Sequence, residues 1–469
     1  MVFSSLVFLY LFLPALLLVY FISKNSSYRI WVLILFSYLF YAWGEPVWVI
    51  LLLLASMLGY LFGLGMERFR GTRLAKVQYV AAIAINIGLL GTFKYAGFLV
   101  ENINLILPLN LPVPEVKLPI GISFFTFELI CYLTDVYKGT IRAPRSPKKV
   151  LFYVSFFPHL VAGPIIRYTD IERQIEHPRV SLAGFSEGIS RFLFGLGKKV
   201  LLANLLGETA AQLLNPGSPS SSVLGMWFGI TLFALQIYFD FSGYSDMAIG
   251  LGKMFGFNLR ENFNYPYISK SAGEFWRRWN MSLGGFFRDY VYIPLGGNQK
   301  SYLRNLFVVW FLTGFWHGAS WNFIIWGLYF GTLIYLERRW LLKWLGKLPA
   351  AFAHLYAVFT ILIGWVWFYF TNLTEAAKAL LIMFGLYPRE FANLELQFYF
   401  RDNLLLCMAA MLLSTPLVKR GLQRAMKPFP KLRSVLMVVG AQLLHAAILI
   451  LATILLVGSS YNPFLYYRF

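Results

Sequence analysis

Charge is what this sequence has least of. Only 13% of its 469 residues are Asp, Glu, Lys or Arg, against roughly 25% in an ordinary soluble domain. The hydrophobic share is 58%, and it extends along the whole chain. A soluble fold with one anchor is therefore excluded. Cysteine is nearly absent: Cys131 and Cys407 stand alone in apolar runs, which excludes a disulfide framework and a Cys-X-X-Cys metal site. There are five histidines and 21 acids, with no cluster at ligand spacing, so no metal is expected. The apolar run Leu6–Phe21 lacks a basic n-region and a small-residue cleavage site. It reads as a first membrane helix and not as a cleaved signal.

What is present fits a bilayer. The chain carries 45 Phe, 28 Tyr and 14 Trp, as packed helices with interfacial aromatic belts require. Its net charge is 41 − 21 = +20. In this setting that reads as basic loops facing anionic lipid, and no nucleic-acid partner is expected. The fold class is an all-α polytopic membrane protein forming one domain over 1–469. Spans need about 20 apolar residues. Candidates are 5–22, 30–43, 46–65, 77–99, 223–250, 303–317, 320–337, 351–370, 403–418 and 434–458. Segments 118–137, 149–166 and 186–213 are apolar but interrupted, suiting buried, re-entrant or interfacial helices. About 10–12 crossings are expected on this count.

Basic loops orient the chain. Loops 66–76 (with Arg68, Arg70, Arg73 and Lys76), 138–149, 338–347 and 419–433 (with Lys431 and Arg433) should face the cytoplasm. Loops 214–222 and 371–400 and both termini should lie outside. An inside loop 138–149 and an outside loop 214–222 require an odd number of crossings, yet two apolar segments lie between them. The shorter, 149–166, holds Pro158, His159, Gly163 and Pro164 and is expected not to span. Broken backbone at membrane depth needs cover from protein or a water-filled cavity, so a cavity is expected near His159.

Candidate chemistry centres on Gly314-Phe315-Trp316-His317-Gly318. An ionisable residue between two membrane-length apolar runs is costly. A histidine suits general-base or nucleophile work; the other reading is an imidazole hydrogen-bonded between helices. The longest polar interruption, 257–302, alternates Arg277, Arg278, Asn280 and Asp289 with Trp276, Trp279 and Tyr290. It suits a segment at the membrane interface or lining a passage. Its arginines suit a phosphate or phosphopantetheine group, or equally an interfacial belt with snorkelling side chains. Asp240 is an acid inside an apolar helix, able to orient a catalytic group or to pair with Arg277 or Arg278. Glu128 and Asp135 read as buried structural acids. His159 is open between cavity lining and packing. His177, His354 and His445 read as packing or loop residues.

Several stretches then resemble one known family. Pro119-Ile120-Gly121-Ile122-Ser123-Phe124, Pro158 through Tyr168, Asp240 through Gly252, Glu274 through Asn298 and Trp316-His317-Gly318 together resemble the membrane-bound O-acyltransferases, in the bacterial branch typified by the alginate O-acetylation membrane protein. The match is collinear over about 118–331. The resemblance implies a helical bundle around a central tunnel that brings a cytoplasmic acyl thioester, acetyl-CoA or an acyl-carrier-protein thioester, to a histidine, with no bound cofactor. It implies a multi-pass protein of the bacterial cytoplasmic membrane. Acetyl groups would pass outward to a cell-surface polysaccharide, with an extracytoplasmic acetyltransferase as partner. The family's shared histidine falls on His317 and its second motif position on Asn280, the two catalytic candidates. Asp240, Arg277, Arg278, Trp316, Asp289, Tyr290 and His159 become candidates for the donor tunnel.

Two departures stand out. Many bacterial relatives read Arg-Trp-His where this chain reads Arg278-Trp279-Asn280, and many read His-Gly where it reads Phe330-Gly331. The implied chemistry therefore rests on one imidazole, with Asn280 bonding the thioester carbonyl. D-Alanyl transfer to teichoic acid is the alternative within the family. A transporter or lipid flippase is the alternative outside it, since interrupted helices and intramembrane ionisable groups fit that too.

Overall fold

A computed structural model describes the chain except for residues 219–220, 426, 429–438, 459–460 and 463–469. Lys431, Arg433 and the start of the expected 434–458 span lie outside the described residues. The described residues are helical with no strand. In chain order the helices are α1 (Phe8–Phe21), α2 (Ser26–Gly44), α3 (Trp48–Arg68), α4 (Arg73–Ile106), α5 (Ile122–Lys138), α6 (Pro147–Ser155), α7 (Phe157–Leu160), α8 (Tyr168–Glu176), α9 (Leu182–Gly197), α10 (Asn204–Leu213) and α11 (Val223–Met254). They continue with α12 (Ala272–Arg278), α13 (Met281–Phe287), α14 (Tyr302–His317), α15 (Trp321–Leu336), α16 (Leu342–Leu345), α17 (Ala350–Tyr369), α18 (Leu373–Met383), α19 (Leu394–Leu413), α20 (Leu417–Ala425) and α21 (Ala441–Gly458).

Among the described residues, α3, α4, α11, α17, α19 and α21 are long and apolar enough to cross a membrane. The remaining expected crossings fall on α1, on α2 with 19 residues, and on the shorter α14 and α15. α14 and α15 have 16 residues each, a rise of roughly 24 Å at 1.5 Å per residue. The expected break in 149–166 is present. α6 ends at Ser155 and α7 covers only Phe157–Leu160, and nine residues rise roughly 14 Å, well short of a hydrocarbon core. Start signals are local. Asn25 Oδ1 accepts the Tyr28 N–H at 3.1 Å to open α2, and Asn393 Oδ1 accepts the Leu396 N–H at 2.9 Å to open α19, satisfying donors that a helix start leaves without partners.

The chain forms two compact units that interleave in sequence. The first comprises Met1–Phe192, Met247–Arg260 and Arg288–Tyr290; the second comprises Leu193–Asp246, Glu261–Phe287 and Val291–Phe469. The first unit has an aromatic core in which Phe3, Phe8, Phe40 and Phe157 are buried and meet at centroid distances of 5.1 to 6.2 Å. The second has a tryptophan core of Trp276, Trp279, Trp326 and Trp365. Large apolar side chains also face outward, such as Leu53, Leu58 and Leu61 on α3 and Leu443, Ile450 and Val457 on α21. Among helices that supply their own backbone bonds, such outward apolar faces suit lipid as the surrounding solvent.

Candidate active site

In the second unit, His317 is the last residue of α14. The chain then straightens at Gly318 (φ −172°, ψ 153°) and re-enters a helix at Trp321. α14 and α15 pack backbone to backbone. A Cβ at Gly314 would lie 2.3 Å from the Phe323 carbonyl oxygen, and one at Gly327 would lie 2.3 Å from that of Trp310. Glycine is required at both points of this crossing.

The imidazole is 2% exposed. Trp316 lies 4.8 Å from its ring centroid, Trp326 4.9 Å and Phe368 5.3 Å, with interplanar angles of 69°, 82° and 77°. Edge-to-face contacts of this kind hold a ring's orientation. Two runs of rings lead from this box to α12. Trp326 meets Trp276 at 5.2 Å; Phe368 meets Trp365 at 5.4 Å, and Trp365 meets Trp279 at 5.0 Å. Phe330 packs on Trp276 at 4.9 Å and on Trp326 at 5.6 Å. Its ring occupies the space that a side chain at Gly364 would need.

The α12 segment is anchored tightly for a helix of seven residues. Ser271 Oγ accepts the Glu274 N–H at 3.0 Å, and the buried Glu337 carboxylate accepts the Ala272 and Gly273 N–H groups at 2.6 and 2.9 Å. These bonds satisfy the first amides of α12. Arg278 is engaged by Glu274 at 2.9 Å and by the Asn264 carbonyl at 3.1 Å. Burial works to raise the Glu274 carboxyl, but the Lys270 N–H and Arg278 outweigh it and hold it below its ordinary value. Arg277 is exposed. Asn280 follows, buried, with φ at +43°. Few non-glycine residues adopt this left-handed conformation, and Asn is among those that do. Its carbonyl accepts the Gly284 N–H at 3.1 Å to start α13.

Asp240 sits on α11 and pairs with Lys199 at 2.6 Å, both nearly fully buried. Its acidic neighbour on the helix, Asp246, takes Lys198 at 2.6 Å. The two lysines belong to a π-helical turn, Lys198–Ala203. The expected pairing of Asp240 with Arg277 or Arg278 is thus replaced by a lysine from another apolar segment. Lys199 and Glu337 escaped the sequence reading. Their signals were a Lys-Lys pair within 186–213 and an acid closing the run 320–337.

His159, Asp289 and Tyr290 belong to the first unit. His159 Nδ1 lies 2.7 Å from Glu128 Oε1, both fully buried. The Tyr290 hydroxyl donates to Asp135 Oδ2 at 2.9 Å. Arg167 bonds Asp289 and lies over the Tyr290 ring at 5.9 Å. Burial works to raise the Asp289 carboxyl, but Arg288 and Arg167 hold it below the ordinary range. Of the other histidines, His354 Nδ1 is 3.1 Å from the Ser269 carbonyl oxygen and His445 stacks edge-on to Phe194. Among the described residues no group of three or more His, Cys, Asp or Glu is placed to hold a metal.

The sequence pattern of the membrane-bound O-acyltransferase family matches residues 122–374. That span holds both the His317 box and the α12–α13 segment. The chain belongs to the membrane-bound O-acyltransferase family. It is a multi-pass membrane O-acyltransferase, which sets the transporter alternative aside. It is similar to the probable alginate O-acetylase AlgI of Pseudomonas putida, 39% identical with 100% of both chains covered. It is also similar to that of Azotobacter vinelandii, 41% identical over 82% of this chain and 78% of the relative. A peptidoglycan O-acetyltransferase of Helicobacter pylori is 34% identical over 82% of this chain and 80% of its own. Relatives named for alginate O-acetylation and for peptidoglycan O-acetylation thus align with most of the chain.

Proposed function

We propose that this protein carries an acetyl group from a cytoplasmic thioester, acetyl-CoA or an acyl-carrier-protein thioester, to a hydroxyl on the far side of the bacterial cytoplasmic membrane. The acceptor is a cell-surface polysaccharide, reached through an extracytoplasmic acetyltransferase. The observation that carries the reading is His317. It is a buried imidazole held by three aromatic rings at a helix end, in a chain whose relatives O-acetylate alginate and peptidoglycan.

In this reading His317 takes the proton of the acceptor hydroxyl as the oxygen attacks the thioester carbonyl. The carbon–sulfur bond then breaks, and the departing thiolate recovers the proton from the imidazolium. The imidazolium forms at the carbonyl end of α14, where the helix dipole favours positive charge. A positioned base is worth roughly 10²–10⁴-fold in rate. The Asn280 amide donates to the carbonyl oxygen as its charge develops, which is worth roughly 10²–10³-fold. Arg277 and Trp316 border the donor's path.

The test is mass spectrometry of cell-envelope polysaccharides from cells with the intact gene, without it, and with His317→Ala. Acetyl esters should be present only in the first, with the variant protein at normal abundance in the membrane. Full acetylation with His317→Ala overturns the role of His317. Loss of D-alanyl esters in place of acetyl esters replaces the acetyl assignment by D-alanyl transfer.

A further inference from the structure

In the first unit, the turn between α3 and α4 meets the end of α5 around an open recess of about 710 Å³. Its lining includes Arg70, Thr72, Arg73, Lys76, Tyr137 and Lys138. The four cations come from two turns more than sixty residues apart (Arg70 to Lys138). Folding concentrates them around one concavity. Glu67 offsets part of this charge: it lies 3.5 Å from Arg70 and accepts the Ala143 N–H. Arg73 and Lys76 remain exposed.

Arg70 and Lys138 have carboxylates near them, Glu67 and Asp135, and the adverse charge lies at the start of α4. Arg73 is the first residue of α4, a helix of 34 residues, and no acid lies in its first turn. The amide end of a helix carries partial positive charge, and cations there are unfavourable. Two further side-chain cations at that end, with Arg70 and Lys138 facing the same recess, make a site whose charge is complemented by a phosphate. Tyr137 stacks on Tyr79 at 4.4 Å and 6°, which makes one wall rigid. Leu74, Val77 and Val80 follow on α4 and are exposed. They offer an apolar track that starts where the cations end.

We propose that this recess binds the phosphate of an anionic ester, and that its source is the headgroup of an anionic phospholipid, with acyl chains along Leu74, Val77 and Val80. The site is independent of the acyl-transfer reading and stands or falls separately from it. It differs from the general attraction of basic loops to anionic lipid because it is concave and has an apolar extension.

The test uses the full-length chain purified in detergent. Native mass spectrometry measures its affinity for phosphatidylglycerol and for phosphatidylcholine. The R73Q/K76Q pair is compared with K419Q/R420Q, which removes the same charge from α20. Each recess charge is worth about fivefold, so R73Q/K76Q should weaken phosphatidylglycerol roughly 25-fold. K419Q/R420Q should leave it near wild type, and thermal melting should show both variants folded. Inorganic pyrophosphate is then added as a soluble competitor. Displacement that needs pyrophosphate in large excess over phosphatidylglycerol assigns the site to lipid. Displacement at equal concentration keeps the phosphate site and overturns the lipid source, and no displacement at any concentration overturns the phosphate site. Equal retention of both lipids, or equal losses in the two variant pairs, overturns the site itself.

Discussion

Trp326 stands edge-on to His317, with ring centroids 4.9 Å apart and planes at 82°. The indole is fully buried, and it also meets Trp276 and Phe330. One residue on α15 therefore joins the imidazole to the α12 segment and to Phe330. The rings of Trp326, Trp316 and Phe368 fix the orientation of the imidazole. Asn280, next to Trp279 on the ring run through Trp365 and Phe368, is the other catalytic candidate and the next position to vary.

Asn280 has a positive φ and a side-chain amide, and two substitutions separate these properties. Asn280→Gly keeps the left-handed conformation without steric cost and removes the amide. Asn280→Ala removes the amide and adds backbone strain of about 1–2 kcal/mol. The expected result is loss of acetylation by roughly 10²-fold or more in both, with a lower melting temperature only in Asn280→Ala. A fully active Asn280→Gly protein would reduce Asn280 to a turn residue.

The crossing of α14 on α15 should tolerate no added methyl. Gly314→Ala places a carbon 2.3 Å from a backbone oxygen of the facing helix, and a backbone carbonyl cannot swing aside as a side chain can. Overpacking typically costs about 1–3 kcal/mol, and here the helix bearing His317 must shift. Melting temperature and acetylation should fall together. Gly284 on α13 is the control, because nothing lies within 4 Å of a Cβ there. Gly284→Ala should be neutral or slightly stabilising. A Gly314→Ala protein as stable as Gly284→Ala counts against the close crossing.

Much of this was legible in the sequence, for reasons that differ residue by residue. That His317 is a buried residue was readable, because an ionisable group between long apolar runs has few inexpensive explanations. The break within 149–166, which falls at Phe156, was readable because proline, glycine and histidine interrupt a run too short to spare residues. The partner of Asp240 was not. Lys199 lies 41 positions away in another apolar segment, and hydropathy alone suggested the arginines just downstream of α11. The φ of Asn280 was equally hidden, since it follows from the meeting of two seven-residue helices whose ends are set by Ser271, Glu337 and the Asn280 carbonyl. The division of the site candidates between two units was also invisible, because Asp289 and Tyr290 are close to Asn280 in sequence yet pack with α5 and Arg167.

Asp289 gives a pH test of that packing. Arg288 and Arg167 hold its carboxyl below the ordinary value, so its folded pKa lies under an unfolded value near about 3.9. The stabilisation is complete above the unfolded pKa and is lost as pH falls through the folded one. Melting temperatures of wild type and Asp289→Asn, followed against pH, should differ by a constant amount from neutrality down to about pH 5, and the gap should close below about pH 4. A gap that widens on acidification contradicts the ion pair with Arg167.

The buried pair of Lys199 and Asp240 separates support from chemistry. Both groups are within 2% of complete burial, and removing one partner of such a pair typically costs about 3–5 kcal/mol because the other charge is left uncompensated. Asp240→Asn should therefore melt at a markedly lower temperature and accumulate poorly in the membrane. Replacing both charges by apolar residues of similar volume removes the penalty, so Lys199→Met with Asp240→Leu should recover most of the stability. If the pair serves only to lock α11 against the Lys198–Ala203 turn, acetylation per folded molecule recovers with it. That is the expected outcome, because the partner found for Asp240 is a lysine buried with it. Restored folding without acetylation would instead move Asp240 into the donor path, and the two measurements on one double variant distinguish these cases.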